Sequence, residues 1–129
     1  MANDIDDLLK LKTWAVVGLS NNSERAAYKV AKLLIEKGHT VIPVHPKAEV
    51  VHGQKGYSKL SEIKIPIDVV DVFVNSQLAG SVVDEAISIG AKGVWLQLDV
   101  IDQAAISRAK AAGLLTAMNK CPAIEYGKR

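Results

Sequence analysis

Short β-branched apolar runs alternate along this chain with longer stretches whose apolar residues recur at helical spacing. Trp14 to Leu19 (WAVVGL) is short, apolar and closed by Gly18 near its end, the mark of a buried strand. From Arg25 to Lys37 the positions Val30, Leu33, Leu34 and Lys37 follow helical spacing, and Gly38 is a natural stop. Thr40 to Val44 (TVIPV) reads as the next strand, provided that Pro43 places its missing N–H where no ladder bond is needed. His45 to Gly56 is a loop rich in proline, glycine and charge, and Lys59 to Ile63 reads as one helical turn. Asp68 to Val74 (DVVDVFV) is a third strand. Gln77 to Ile89 is a second long helix, with Val82, Val83, Ala86 and Ile89 on one face and Gly90 behind it. Gly93 to Leu96 is a fourth strand, Asp102 is placed to N-cap a helix running to Ala112, Gly113 ends that helix, and Leu114 to Met118 is the last strand.

Strict alternation of strand and helix predicts an α/β fold: a Rossmann-like parallel sheet covered by helices on both faces. Right-handed crossovers leave few topologies, and the expected one has five strands in the order 3-2-1-4-5. No repeat, low-complexity stretch or linker divides the chain, so residues 1–129 are read as one domain. That length buries a core without disulfides or metals.

Composition narrows the partners. A formal net charge of +2 points to neither nucleic acid nor a membrane surface. A single cysteine, Cys121, excludes an intramolecular disulfide and fits a reducing compartment. No apolar run approaches the roughly 20 residues of a membrane span. The N-terminal MANDIDDLLK is acidic and lacks the apolar core of a secretory signal, so a cytoplasmic location is the default expectation.

In such a sheet ligands bind outside the carboxyl ends of the strands, beside the point where strand order reverses. The expected site segments are therefore Gly18 to Arg25, Val44 to Lys47, Asn75 to Leu78, and Gln97 to Asp99. The first is a short polar turn leading into a helix N-terminus, where backbone N–H groups and the helix dipole favour a phosphate. Ser20, Asn21 and Ser23 add donors there, and Arg25 adds a charged fork. The plainer reading is that these residues only cap the helix, and Lys29 is read as a solvated face residue. The segment is not the dinucleotide fingerprint, which needs G-x-G-x-x-G; only Gly18 is present, with Ser20 and Ser23 where glycines would stand. After the second strand comes His45-Pro46-Lys47 rather than an acidic residue for a ribose 2′-hydroxyl. A basic residue at that place suits an extra ribose phosphate, as in coenzyme A or NADP, and the missing glycines favour coenzyme A.

These residues also carry a resemblance. VVGLS with Glu24-Arg25, then Tyr28-Lys29-Val30-Ala31, VIPVHP with Lys47, DVVDVFV, the run from Gly90 to Val100, and NKCPAIE follow one another in order from Trp14 to Glu125. Together they resemble the small CoA-binding domain proteins of bacteria, the YccU-like family, which are similar in turn to the CoA-binding domain of the succinyl-CoA synthetase α subunit. The resemblance implies that adenine and ribose lie over Val44 to Lys47 and that phosphates meet Ser20, Ser23 and Arg25. It further implies that Val74 and Asn75 flank the adenosine end, with Leu78 close by. His45 departs from the family, where asparagine is usual. The synthetase's phosphohistidine lies in a domain absent from this sequence, so the resemblance carries over ligand binding and not ligase chemistry.

The remaining chemistry-bearing residues are few. His39, His45 and His52 show no metal-ligand spacing, and His39, just behind a helix-ending glycine, is expected to be an exposed loop residue. Trp14 and Trp95 are expected to pack in the core. Asp71 is expected to point inward and be hydrogen-bonded at the sheet; no partner for acid–base chemistry is evident. Cys121 has two readings, a buried small apolar residue or a thiol able to exchange with that of the coenzyme. Three functional classes follow: a coenzyme A or acyl-CoA binding module acting as sensor, carrier or partner; an NADP-dependent or acyl-CoA-acting enzyme; and a ligand-free interaction scaffold. The small size weighs against the enzyme, and the sequence names no protein partner.

Overall fold

The computed structural model describes residues 4–129; Met1 to Asn3, the start of the acidic N-terminal stretch, lie outside the described residues. The strands are β1 (Thr13–Val17), β2 (Thr40–Val44), β3 (Val69–Val72), β4 (Gly93–Leu96) and β5 (Leu115–Ala117). The helices are α1 (Asp4–Leu9), α2 (Ala26–Glu36), α3 (Ser76–Ser88), α4 (Gln103–Ala111) and α5 (Pro122–Gly127). A single 3₁₀ turn, Leu60–Glu62, stands where one helical turn was expected. Asp102 caps α4 as expected, its carboxylate accepting from the Ala105 N–H at 3.0 Å. The helices α1 and α5, six residues each, were not anticipated, because segments of that length are too short for periodicity to speak. Among its contacts α1 guards an edge: the Asp4 carboxylate accepts from the Thr116 N–H at 3.0 Å, occupying a donor on the outermost strand.

All strand pairs are parallel and the sheet runs β2-β1-β3-β4-β5. Fold class, strand number and pairing sense are as expected. The order differs from 3-2-1-4-5 in one respect: β3 lies between β1 and β4 rather than outside β2. Pro43 gives the physical reason. The Val44 carbonyl accepts from Gly18 N–H on β1's side at 2.7 Å, whereas the Pro43 carbonyl accepts from Tyr57 N–H on the other side at 3.0 Å. Since N–H and C=O of one residue point the same way in a parallel strand, the Pro43 nitrogen faces outward. A neighbour there would meet a missing donor, so β2 belongs at the edge.

The two sheet faces bury different sets. Val70, Val72, Val94 and Leu96 pack under α3 and α4 with Val83, Ala86 and Ile106. Trp14, Val16, Val69 and Trp95 pack under α1, α2 and α5 with Leu8, Val30 and Leu34. Both tryptophans are fully buried packing residues, each with its indole N–H donated to a backbone carbonyl 3.0 Å away, Leu11 for Trp14 and Lys120 for Trp95.

Two expectations are corrected. His39 is buried, not exposed: its Nδ1 lies 2.8 Å from the Leu11 carbonyl and its Nε2 faces the Tyr126 hydroxyl. Helix α5 covers a position that the glycine before it seemed to leave open, and burial lowers the imidazole pKa. Asp71 does point inward, but neither carboxyl oxygen has a hydrogen-bond partner. It stands between Val16 and Trp95 in the sheet, and among the described residues no group hydrogen-bonds to it. Desolvation by burial raises its pKa well above the usual carboxyl value.

The sign of the resulting pH dependence is fixed. A native state that holds a proton which the unfolded chain releases above the ordinary carboxyl pKa loses stability as pH rises. Stability of the wild type relative to Asp71→Asn should therefore fall from about pH 4 toward neutrality, by up to about 1.4 kcal/mol per pH unit. Urea midpoints of both proteins at pH 5, 6 and 7 measure it. Parallel pH profiles would show that Asp71 is ionised in the fold.

Candidate functional site

The turn after β1 is set by a close crossing. Gly18 has φ +100°, and a Cβ built there would lie 2.7 Å from the Phe73 carbonyl oxygen at the end of β3. Only glycine fits such an approach. The Phe73 N–H meanwhile donates to the Val17 carbonyl at 2.8 Å, so the ends of β2, β1 and β3 are pinned together. Beyond them opens a cleft of about 720 Å³, within the usual range for small-molecule sites.

Its walls come from three of the four expected segments. Gly18, Ser20 and Arg25 line it from the first turn. Val44, His45, Pro46 and Lys47 line it from the second, and Val74, Asn75 and Leu78 from the third. Two expected residues are not part of the lining. Asn21 instead ties two loops together, its side-chain N–H donating to the Val50 carbonyl at 2.7 Å and its backbone N–H to the Glu49 carboxylate at 3.3 Å. Ser23 is exposed outside the cleft. The Gln97–Asp99 segment is also absent from the lining, because β3 stands between β1 and β4 and moves that loop one strand further away.

Capping does not account for the first turn. The residue at the α2 N-cap is Arg25, whose side chain makes no cap hydrogen bond. The Ser20 hydroxyl accepts from Asn22 N–H at 3.3 Å and Asn22 Oδ1 from Glu24 N–H at 3.1 Å, which shapes the turn before the helix begins. The third turn is different: Asn75 caps α3 by accepting from Leu78 N–H at 3.1 Å, so its side-chain oxygen already has a structural task. In the second turn His45 Nδ1 accepts from the Lys47 N–H at 3.1 Å, which holds the turn that presents the exposed Lys47.

Sequence reasoning missed the far wall. Ser58 and Lys59 approach from the segment before the 3₁₀ turn, and Ser81, Val82 and Glu85 from α3. Leu78, Ser81, Val82 and Glu85 follow i, i+3, i+4, i+7 spacing, a half-polar stripe that could have marked a second helix face turned toward a ligand. Electrostatically the cleft is divided. Arg25, Lys47 and Lys59 bring cations to it, and Glu85 is the one acidic side chain in its lining, with a carboxylate oxygen 3.3 Å from the Leu60 N–H. An uncapped helix end with nearby cations suits phosphate, and the mixed far wall suits a group with both donors and acceptors. Among the described residues no three His, Cys, Asp or Glu side chains converge as a metal site, and no helix is long and apolar enough to cross a membrane. Cys121 is buried at the start of α5 within the α2-side core, which fits its structural reading.

A parallel sheet whose ligand-sized cleft opens beside the strand-order reversal is the arrangement of Rossmann-like nucleotide-binding domains. The model of the CoA binding domain matches residues 12–127, and the chain belongs to that family. It is 34% identical over 114 residues to the uncharacterized protein YneT of Bacillus subtilis (strain 168), covering 88% of this chain and 84% of that one. A hypothetical protein from Pyrococcus horikoshii OT3 superposes with a TM-score of 0.91 at 40% identity, over 97% of this chain and 89% of its own. The fold also recurs in the dinucleotide-forming acetyl-coenzyme A synthetase 1 of Ca. Korarchaeum cryptofilum. There the TM-score is 0.76 at 22% identity, and the match spans 89% of this chain but 28% of the synthetase.

Gly18→Ala tests the crossing on which the cleft depends. A Cβ against the Phe73 carbonyl and a left-handed φ together should destabilise the fold by about 1–3 kcal/mol. Chemical denaturation of both proteins measures this, and a change below about 0.5 kcal/mol would mean that the turn relaxes freely.

Proposed function

We propose that this protein binds coenzyme A in the cleft between the turns that follow β1, β2 and β3, as a ligand-binding module rather than a ligase. The observation that carries the reading is that Arg25, at the uncapped N-terminus of α2, and Lys47 line one ligand-sized cleft, in a chain of the CoA-binding domain family. In this reading the diphosphate meets the Gly18–Arg25 turn, Lys47 meets the ribose phosphate, and Val44, Pro46 and Val74 flank the adenosine. Asn75 positions the α3 end of the site through its cap. The coenzyme supplies a thiol for acyl chemistry; the chain's own residues hold its charged end.

Isothermal titration with coenzyme A, dephospho-coenzyme A, NADP and NAD decides the ligand. Coenzyme A should bind most tightly and the dephospho form about tenfold more weakly, the worth of one charge-assisted hydrogen bond. Equal affinity for the two would remove Lys47 from the ribose phosphate, and tighter binding of NADP would turn the reading toward a reductase.

Arg25→Ala and Lys47→Ala should each weaken coenzyme A binding with little change in melting temperature, because both side chains are exposed and bury no core. In Lys47→Ala the preference for coenzyme A over its dephospho form should shrink as well. Titration and thermal melts of the two variants check this, and unchanged affinity in both would place the phosphates elsewhere.

A further inference from the structure

We infer that the loop after β4 carries the acyl group of a bound acyl-CoA, so that this cleft takes acyl thioesters in preference to free coenzyme A. The inference rests on the proposed binding of coenzyme A and adds the class of thioester.

Large apolar side chains are exposed at only a few described positions; one of them belongs to the cleft wall and two to the loop tied to the helix that carries it. Leu78 is 54% exposed, Leu98 44% and Ile101 51%. Leu78 is itself a wall of the cleft. The loop bearing Leu98 and Ile101 is fastened to the first turn of α3 by Ser76, whose hydroxyl donates to the Asp99 carbonyl at 3.3 Å and accepts from Ile101 N–H at 2.9 Å. On its other side Asp99 N–H donates to Asn119 Oδ1 at 2.8 Å. The apolar surface is therefore held beside the cleft by hydrogen bonds at both ends.

Strand order gives the direction. The loops along the carboxyl edge follow the sequence β2, β1, β3, β4. A ligand with its ribose phosphate at the β2 loop and its diphosphate at the β1 turn extends its remaining arm across β3 toward β4. Neighbouring strands lie about 4.8 Å apart, so the β4 loop is reached about 10 Å beyond the phosphate turn. The coenzyme's arm is longer than this when extended, so it spans the distance and brings the thioester at its end within reach of Leu98 and Ile101. Cations at one end of the path and exposed leucine and isoleucine at the other match a ligand with an anionic head and an apolar tail. Exposure of these side chains in the free protein leaves apolar area to be removed from water when such a tail lies on them.

The test compares coenzyme A, acetyl-CoA and octanoyl-CoA on the wild type and on the double variant Leu98→Ser, Ile101→Ser, with thermal melts to verify folding. Octanoyl-CoA should bind the wild type about tenfold more tightly than coenzyme A, since a buried methylene is worth about fourfold and this rim covers a chain on one side only. The double variant should lose that gain and keep its affinity for free coenzyme A. Equal affinity for all three ligands in the wild type would overturn the inference while leaving the coenzyme site intact. A gain that persists in the double variant would overturn it as well, by placing the tail elsewhere. Absence of binding by any of the three would overturn the coenzyme reading and this inference with it.

Discussion

The passage of Gly18 over the Phe73 carbonyl is the constraint from which the site follows. A side chain at that position would push the β1 turn away from the end of β3, and the backbone angle there is one that side chains avoid. With glycine in place, Gly18 N–H reaches the Val44 carbonyl and Phe73 N–H reaches the Val17 carbonyl. Three strand ends are thereby held level. The turns leaving them then diverge to opposite faces of the sheet, toward α2 and toward α3, and the cleft is the space between those paths.

A second constraint places the strands that bring those turns together. Pro43 cannot donate to a neighbour on its outer side, so β2 takes the edge, and on that side an isolated bridge to Tyr57 stands in place of a strand. With β2 at the edge, β3 moves in beside β1. The α3 cap at Asn75 then faces the α2 turn directly, and the β4 loop becomes the next station along the same edge. Had the third strand lain outside β2, the β4 loop would have been the neighbour of the phosphate turn.

The buried polar groups stand apart from the cleft. Asp71 is enclosed between Val16 and Trp95 on the face covered by α1, α2 and α5, and among the described residues neither of its oxygens has a partner; the buried Gln97 just beyond β4 likewise has an unpartnered carbonyl oxygen. A neutral carboxyl in such a place is cheaper to bury than a charged one, which is the origin of its raised pKa. His39 is handled differently: its two nitrogens meet a carbonyl and a tyrosine hydroxyl, and the imidazole joins α5 to the chain entering β1. Cys121 closes the same side of the core.

Local sequence determined the elements. Apolar runs, helical spacing, glycine stops and the Asp102 cap were enough to place all five strands and the three longer helices within a few residues, because each depends on its own backbone and neighbours. The same local signals marked the turns after β1, β2 and β3 as polar segments at strand ends, and the residues from Trp14 to Glu125 carried the family. What depended on distant partners was decided only by the tertiary structure. The place of β3, the burial of His39 under α5, the isolation of Asp71, the release of Asn21 and Ser23 from the cleft, and the far wall of Ser58, Lys59, Ser81 and Glu85 all arise from segments far apart in the chain. Periodicity reports which face of an element is apolar; it does not report which element covers that face, and burial, hydrogen-bond partners and the walls of a cleft are properties of the covering element.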